Sequence, residues 1–290
     1  MTIAFDAMLE LARRMGGVYE GDLYKVTGTS STTTLVSTTL TQVDDYWNGG
    51  TLFITYDAGG AGAAPQNESR EITDFTASTD TVTTTTAFTV APATGDKFGI
   101  TKNDYPRHVL MRALNSALRW WGDIAYYDDT TLDTAASTLE YSLPAAAVKD
   151  LRNVMIANST SSPYDFHPFP YWYVNRGSGK LVFRVQPAYT YNIRLIYMAP
   201  HAAVDSDDDA ISTHVYIEAL YAYAMAELYM WKVQTTGHDD RKWIDLYNQY
   251  LQLAEKYKRE NPVPSPSKDP TYIYEPAAPA DFNPYRISSS

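Results

Sequence analysis

The sequence predicts an α+β fold: a four-helix bundle with a β-hairpin region, an inserted small all-β barrel or sandwich domain, and an extended C-terminal arm. Three observations carry this expectation. Apolar residues recur at helical spacing in four separated stretches. Between the first two lies a threonine-dominated stretch of short β-branched runs and glycine turns. Beyond position 261 there are seven prolines, which exclude a further regular helix. The expected divisions are a helical domain at 1–25 and 102–260, an inserted β-domain at 26–101, and an arm at 261–290.

Residues 3–15 place Phe5, Met8, Leu9, Ala12 and Met15 on one helical face, and Gly16-Gly17 stops the helix. From 26 to 101 the runs 34–40, 51–56, 70–75, 80–84, 87–90 and 97–101 read as strands. Asn48-Gly49-Gly50 and the loop Asp57-Ala58-Gly59-Gly60-Ala61-Gly62 punctuate them. Many short strands at regular spacing point to a barrel or sandwich.

The second helix follows the capping signal Asn103-Asp104, with Pro106 in its first turn. Leu110, Leu114, Ala117, Leu118 and Trp121 form its apolar face, and His108, Arg112, Asn115 and Arg119 its polar one; Gly122 ends it. A second β-region follows. Leu139, Tyr141 and Leu143 alternate, then Leu181, Phe183 and Val185, then Tyr189, Tyr191, Ile193, Leu195 and Tyr197. The last two runs, joined around Gln186-Pro187-Ala188, are expected to form a hairpin.

The third helix spans about 211–233 and is apolar nearly all round, with Ile217, Leu220, Leu228 and Trp231 on one side. Such a helix has to be covered on most faces, by the core or by another subunit. The acidic run 205–209 before it suits the positive end of a helix. The fourth helix begins at Asp239-Asp240 with the stripe Trp243, Leu246, Tyr247, Tyr250, Leu253, Ala254 and Tyr257; Lys256, Lys258 and Arg259 match its C-terminal dipole, and Pro262 stops it. The proline-rich remainder keeps Tyr272, Ile273, Tyr274, Phe282 and Tyr285, which a mere linker does not need. It reads as an arm that docks onto a partner.

Composition excludes several chemistries. The chain has no cysteine, so thiol nucleophiles, iron–sulfur clusters and disulfide scaffolds are ruled out. Its net charge of −11 opposes general binding to a phosphate backbone. No basic leader or apolar run of membrane-spanning length occurs, so a soluble, intracellularly made protein with no membrane partner is expected. The 24 tyrosines are in excess, and polar-tipped aromatics suit wet, well-packed interfaces.

The motifs that resemble active sites fail on inspection. Asp205, Asp207 and Asp209 match the first positions of a calcium loop, but Ala210 replaces its glycine and Tyr216 its bidentate glutamate. Helix capping explains the run better. His214 and Glu218 make at most half a metal site. Gly177-Ser178-Gly179-Lys180 lacks the first glycine of a phosphate loop, and Gly59-Gly60-Ala61-Gly62 does not open a helix. The aromatic cluster from Tyr164 to Tyr173 reads as a proline-stiffened connection rather than a sugar platform. No catalytic, cofactor-binding or metal-ligating residue is assigned.

The segments Arg112-Ala113-Leu114-Asn115-Ser116-Ala117-Leu118-Arg119-Trp120-Trp121, Leu139-Glu140-Tyr141-Ser142-Leu143-Pro144, Gly179-Lys180-Leu181-Val182-Phe183, Leu195-Ile196-Tyr197-Met198-Ala199-Pro200 and Ala219-Leu220-Tyr221-Ala222-Tyr223-Ala224, in that order, resemble the head–tail connector (adaptor or neck) proteins of tailed bacteriophages. The resemblance covers about half the chain, 104–260. The stretches 44–52 and 71–75 look like β-domains carried by phage virion proteins. The resemblance implies a non-enzymatic virion protein at the head–tail junction, made in the host cytoplasm. It also implies a ring, typically dodecameric, that joins the portal to the tail or nozzle and passes DNA without binding it specifically. Tyr272, Ile273, Tyr274, Phe282 and Tyr285 would then meet the portal. Arg112, Arg119, Ile217, Leu220, Leu228 and Trp231 would face neighbouring subunits. The alternative is a carbohydrate-binding module on a tail or collar, with Tyr46 and Trp47 stacking on sugars; a hydrolase is a more distant third.

Overall fold

The computed structural model describes residues 2–135, 137–157, 164–169, 171–186, 190–236 and 241–267. The docking-arm residues from Tyr272 to Tyr285 lie outside that set. The chain divides into two compact units, Met1–Trp121 with Ala202–Pro262, and Gly122–His201 with Val263–Ser290.

The first unit opens with β1 (Thr2–Ile3), α1 (Ala4–Arg14) and β2 (Val18–Tyr19). The amphipathic face expected of α1 is the buried one, with Phe5, Met8, Leu9 and Ala12 in the core. Gly16, at φ +70°, ends the helix: its N–H and that of Gly17 bond back to the carbonyls of Arg13 and Ala12. The chain then builds β3 (Thr34–Val36), β4 (Thr51–Tyr56), β5 (Ser69–Thr76), β6 (Thr81–Thr84), β7 (Lys97–Thr101) and α2 (Arg107–Trp121).

The strands form one antiparallel sheet of six in the order β2-β7-β4-β5-β6-β3. Its inner face packs Leu35, Trp47, Leu52, Phe75, Phe98 and Ile100 together. In β3 and β6 burial alternates, with Leu35 and Val82 inside and Thr34, Thr81 and Thr83 half-exposed. A register shift between Ile72 and Asp74 lets β5 pair with β4 through its first half and β6 through its second.

The expected barrel does not close. No ladder joins the edge strands β2 and β3. Instead, the irregular run 24–28 reaches both sides with isolated bonds, Val26 N–H to Asp96 and Thr27 N–H to Val36. The run 87–90, expected as a strand, is irregular; Phe88 turns into the core at 2% exposure, and its N–H makes an isolated bond to the Thr32 carbonyl rather than a ladder.

The second unit contains β8 (Asp123–Asp133), β9 (Glu140–Ser142), α3 (Ala145–Asp150), β10 (Leu151–Ala157), β11 (Phe166–Pro168), β12 (Trp172–Asn175), β13 (Lys180–Phe183) and β14 (Asn192–Pro200). These make two antiparallel sheets, β11-β10-β14-β8 and β12-β13-β9. Val154, Ile193 and Leu195 from one and Tyr141, Leu181 and Phe183 from the other share a core.

This topology corrects the expected hairpin. β13 and β14 are consecutive in sequence but belong to different sheets: β13 pairs with β12 across the turn at Gly177-Ser178-Gly179, while β14 pairs with β8 and β10. Alternation marks a strand with one buried face but does not name its partner. Of the expected joint, Pro187 and Ala188 lie outside the described residues.

The chain returns to the first unit through β15 (Ala210–Ile211), which pairs with β1, and ends its regular structure with α4 (Ile217–Thr236) and α5 (Arg241–Glu260). α4 is the common partner of the longer helices, packing against α1, α2 and α5, while α1 also touches α2.

Since α4 starts only at Ile217, the acidic run 205–209 does not cap it, contrary to expectation. The carbonyls of Asp207 and Asp209 instead accept the N–H groups of Phe5 and Ala4, at the start of α1. The Asp207 side chain is buried and charge-paired. It accepts the Ser69 N–H at 2.7 Å, the Ser69 hydroxyl at 2.6 Å, Arg107 at 3.0 Å and Arg70 at 3.3 Å. One carboxylate thus fastens the 205–209 loop to β5 and α2.

Candidate functional site

Among the described residues no group of three metal-capable side chains gathers, and no helix is long and apolar enough to cross a membrane. The features that stand out are helical surfaces, and they begin with how α5 is held. Trp120, near the end of α2, stacks on Tyr223 of α4 at 4.5 Å and donates its indole N–H to Glu255 of α5 at 3.0 Å. Lys258 lies over the same indole at 4.5 Å and donates to the Trp120 carbonyl at 2.7 Å, completing the C-terminus of α2. Further along, Tyr229 of α4 meets both Trp243 and Tyr250.

This attachment uses only part of what α5 offers. From Leu253 round through Tyr250, Trp243 and Ala254 to Leu251 and Ile244, apolar side chains cover about half the helix circumference at 100° per residue. Only Ala254 is fully buried. A helix that packs on a single partner needs a stripe of roughly 100°, so the flanks of α5 exceed what α4 covers.

On one flank lies a groove of about 300 Å³ lined by Tyr250, Leu253 and Tyr257 of α5, by Glu218, Ala222 and Met225 of α4, and by Arg14. Arg14 separates it from a second concavity of about 340 Å³ bounded by Asp6, Glu10, Arg13 and Tyr221. The Arg14 guanidinium forks onto Glu218 at 2.7 and 3.0 Å, reaches Glu10 at 2.8 Å and lies 4.6 Å from the centre of the Tyr221 ring. These carboxylates hold the guanidinium above its ordinary range, the hydrogen bond to Glu218 contributing most. Burial pushes the Tyr221 hydroxyl up to about 12.

The residues singled out from the sequence are dispersed. Arg112 and Arg119 are exposed on α2, on the face opposite its buried one. Ile217 and Trp231 are half-buried on α4, whereas Leu220 and Leu228 are 0% and 1% exposed and already covered by their own chain. His214 neighbours Ser212, and Glu218 is engaged by Arg14, so this pair is not brought together as ligands.

Trp47, a candidate for sugar stacking, is fully buried and packs edge-on against Tyr19 and Tyr46, so its faces are closed to a ligand. Tyr46 remains partly exposed beneath Lys102, whose hydrogen bond lowers the tyrosine's pKa. In the Tyr164 to Tyr173 cluster, Phe169 and Trp172 belong to the core. At the Gly177 turn, two backbone N–H groups donate to Asn175 Oδ1 and are not aimed at an anion.

Sequence reasoning missed the groove. Its α5 wall, Tyr250, Leu253 and Tyr257, lies within the stripe read from the sequence, whereas Ile244 and Leu251, which widen that stripe, fall on the opposite flank, so no signal in the sequence marked the groove.

No curated protein and no solved structure matches the chain. The family described as SU10 adaptor protein matches residues 80–266, from β6 through α2, the second unit and α4 to just beyond α5. That span is more than half the chain, and it contains the α4 and α5 walls of the groove, though not Arg14, together with the arginine-bearing helix α2. The chain therefore belongs to the SU10 adaptor protein family, a structural family of phage head–tail adaptors.

Proposed function

We propose that the protein is a non-enzymatic virion connector. It forms a ring beneath the portal vertex of a phage capsid, joins it to the tail or nozzle, and continues the DNA channel through which the genome is ejected. The observation that carries this reading is the excess apolar width of α5, which needs a second covering partner besides α4. Head-to-tail closure, with each subunit using two different patches, provides one at every position of a ring. The net charge of −11 suits a conduit that DNA must traverse without sticking.

In this reading 1–25 with 102–260 is the ring-forming module and 26–101 an insertion. The arm at 261–290 docks on the portal through Tyr272, Ile273, Tyr274, Phe282 and Tyr285, ordering as it buries them. Synthesis in the host cytoplasm and a dodecameric ring complete it.

The test is to mix the full chain with purified portal and image the product by electron microscopy. A ring of density below the portal is expected. Deleting 262–290 should leave a folded protein that no longer attaches. Undiminished attachment by the truncated chain would sink the role of the arm, and failure of the intact chain to attach would sink the connector itself.

A further inference from the structure

Arg14 displays the chemistry that the groove beside α5 accepts. Its guanidinium lies over a tyrosine ring and is shared by two carboxylates, Glu10 and Glu218. Around the two concavities the carboxylates Asp6, Glu10 and Glu218 outnumber the guanidiniums of Arg13 and Arg14 by one, and Asp6, exposed on α1, has no ion pair among the described residues. On the α5 side of Arg14, the groove offers the rings of Tyr250 and Tyr257 beside the aliphatic walls of Met225 and Leu253. A planar cation on a long apolar stem satisfies all of these at once: stem along the walls, guanidinium over a ring, charge toward the carboxylates.

The chain carries such side chains on another surface. Arg112 and Arg119 are exposed on α2, and neither has a carboxylate partner among the described residues; Arg119 donates only to the Ser116 hydroxyl, at 3.1 Å. They are seven residues apart, two turns of one helix face, or about 10.5 Å along the axis. Tyr250 and Tyr257 are also seven apart on α5, so the spacing of cations matches that of rings. The opposite face of α2 is buried and the helix packs on α1 and α4. Its arginines therefore point away from the helices that wall the groove, and a second copy can present them where its own chain cannot.

We infer that Arg112 and Arg119 of one copy seat on Tyr250 and Tyr257 in the α4–α5 groove of the next, forming the head-to-tail contact of the ring. The inference rests on the connector reading and adds which surface meets which. The occupant is a second copy because the two surfaces have opposite charge excess and equal spacing.

The absence of cysteine makes the test direct. One full-length chain carries Ser116→Cys, between the two arginines, and another carries Gln249→Cys, beside Tyr250. The two are mixed under conditions of assembly and treated with a short bis-maleimide. A cross-linked heterodimer is expected, with little product from either chain alone. Adding Arg112→Glu and Arg119→Glu to the Ser116→Cys chain should lower its yield at least about tenfold, and lysine at both positions should restore it in part.

Assemblies seen by mass photometry without the heterodimer would overturn this pairing and leave the ring reading standing. A chain that neither self-associates nor rings the portal would overturn both. A Gln249→Cys, Tyr274→Cys chain that cross-links only within itself would put the C-terminal arm in the groove and equally overturn the inference.

Discussion

Asp207 sits in a run of carboxylates that suggests helix capping or an ion site, yet its neighbours decide otherwise. At 6% exposure it is matched by two arginines and the N–H and hydroxyl of Ser69. Removing it leaves Arg107 and the Ser69 N–H without their counterpart, while Arg70 keeps Glu68; leaving a buried cation unmatched is the costly way to break a pair. Asp207→Ala should lower unfolding free energy by about 3 kcal/mol in a denaturant titration, and Asp207→Asn, which keeps the volume, by less. Gly50 is constrained by contact: a Cβ there would lie 1.9 Å from the carbonyl oxygen of Thr101, on the backbone of β7. Gly50→Ala should therefore cost about 1–3 kcal/mol by the same titration. Tyr105 and Tyr221 are held neutral by burial, each raised from 10.0 to about 12. The unfolded chain ionises first, so their contribution is intact below pH 10 and is lost as pH climbs toward 12. Stability measured across that window should fall, and Tyr221→Phe should flatten the slope.

At the scale of elements, α5 depends on Trp120. The indole stacks on α4, donates to Glu255 and lies under Lys258, so one side chain fixes the approach of α5. Trp120→Ala should lower hydrogen-exchange protection in 241–260 far more than in α1, with a global loss of about 2–3 kcal/mol, less than for a fully buried tryptophan. Equal loss across both helices would contradict that local role. Periodicity located α1, α2, α4 and α5 well because a helix writes its buried face into every window of a few turns. It located β4 and β7 residue for residue, since both are short aromatic and β-branched runs bounded by turn residues. It misplaced the partner of β14 because pairing is settled by contacts with β8 and β10, far from it in sequence. It also began α4 too early: 212–216 form a turn in which Val215 N–H bonds to the Ser212 carbonyl.

For the whole molecule, the expectation that an all-apolar helix must be covered on most sides is met within one chain, by the contacts of α4 with three other helices. Leu220 and Leu228 are consumed in this way; in the proposed connector, α2 and α5 would supply the surfaces for assembly. If oppositely charged faces drive the contact, self-association should weaken several-fold as NaCl rises from about 0.05 M to about 0.5 M, because exposed charges are screened beyond a few ångströms at the higher salt. Sedimentation across that range checks this, and a salt-independent association would point to the apolar flank of α5 alone.

The amino-acid sequence by itself determined that α4 is buried, that α1 ends at Gly16-Gly17, that 26–101 is rich in strands, that thiol chemistry is absent, and that the chain resembles a phage connector. Each of these is legible from composition, a turn residue, a short repeat or the order of segments. Only the tertiary structure decided that the six-stranded sheet stays open, that Asp207 binds arginines rather than capping a helix, and that β13 and β14 part company. It alone showed that α4 leaves the flanks of α5 only half-buried. The physical reason is range. A turn or an amphipathic stripe is fixed by residues a few positions apart, whereas a paired strand, a matched charge or an unfilled groove is fixed by residues that meet only when distant parts of the chain are folded together.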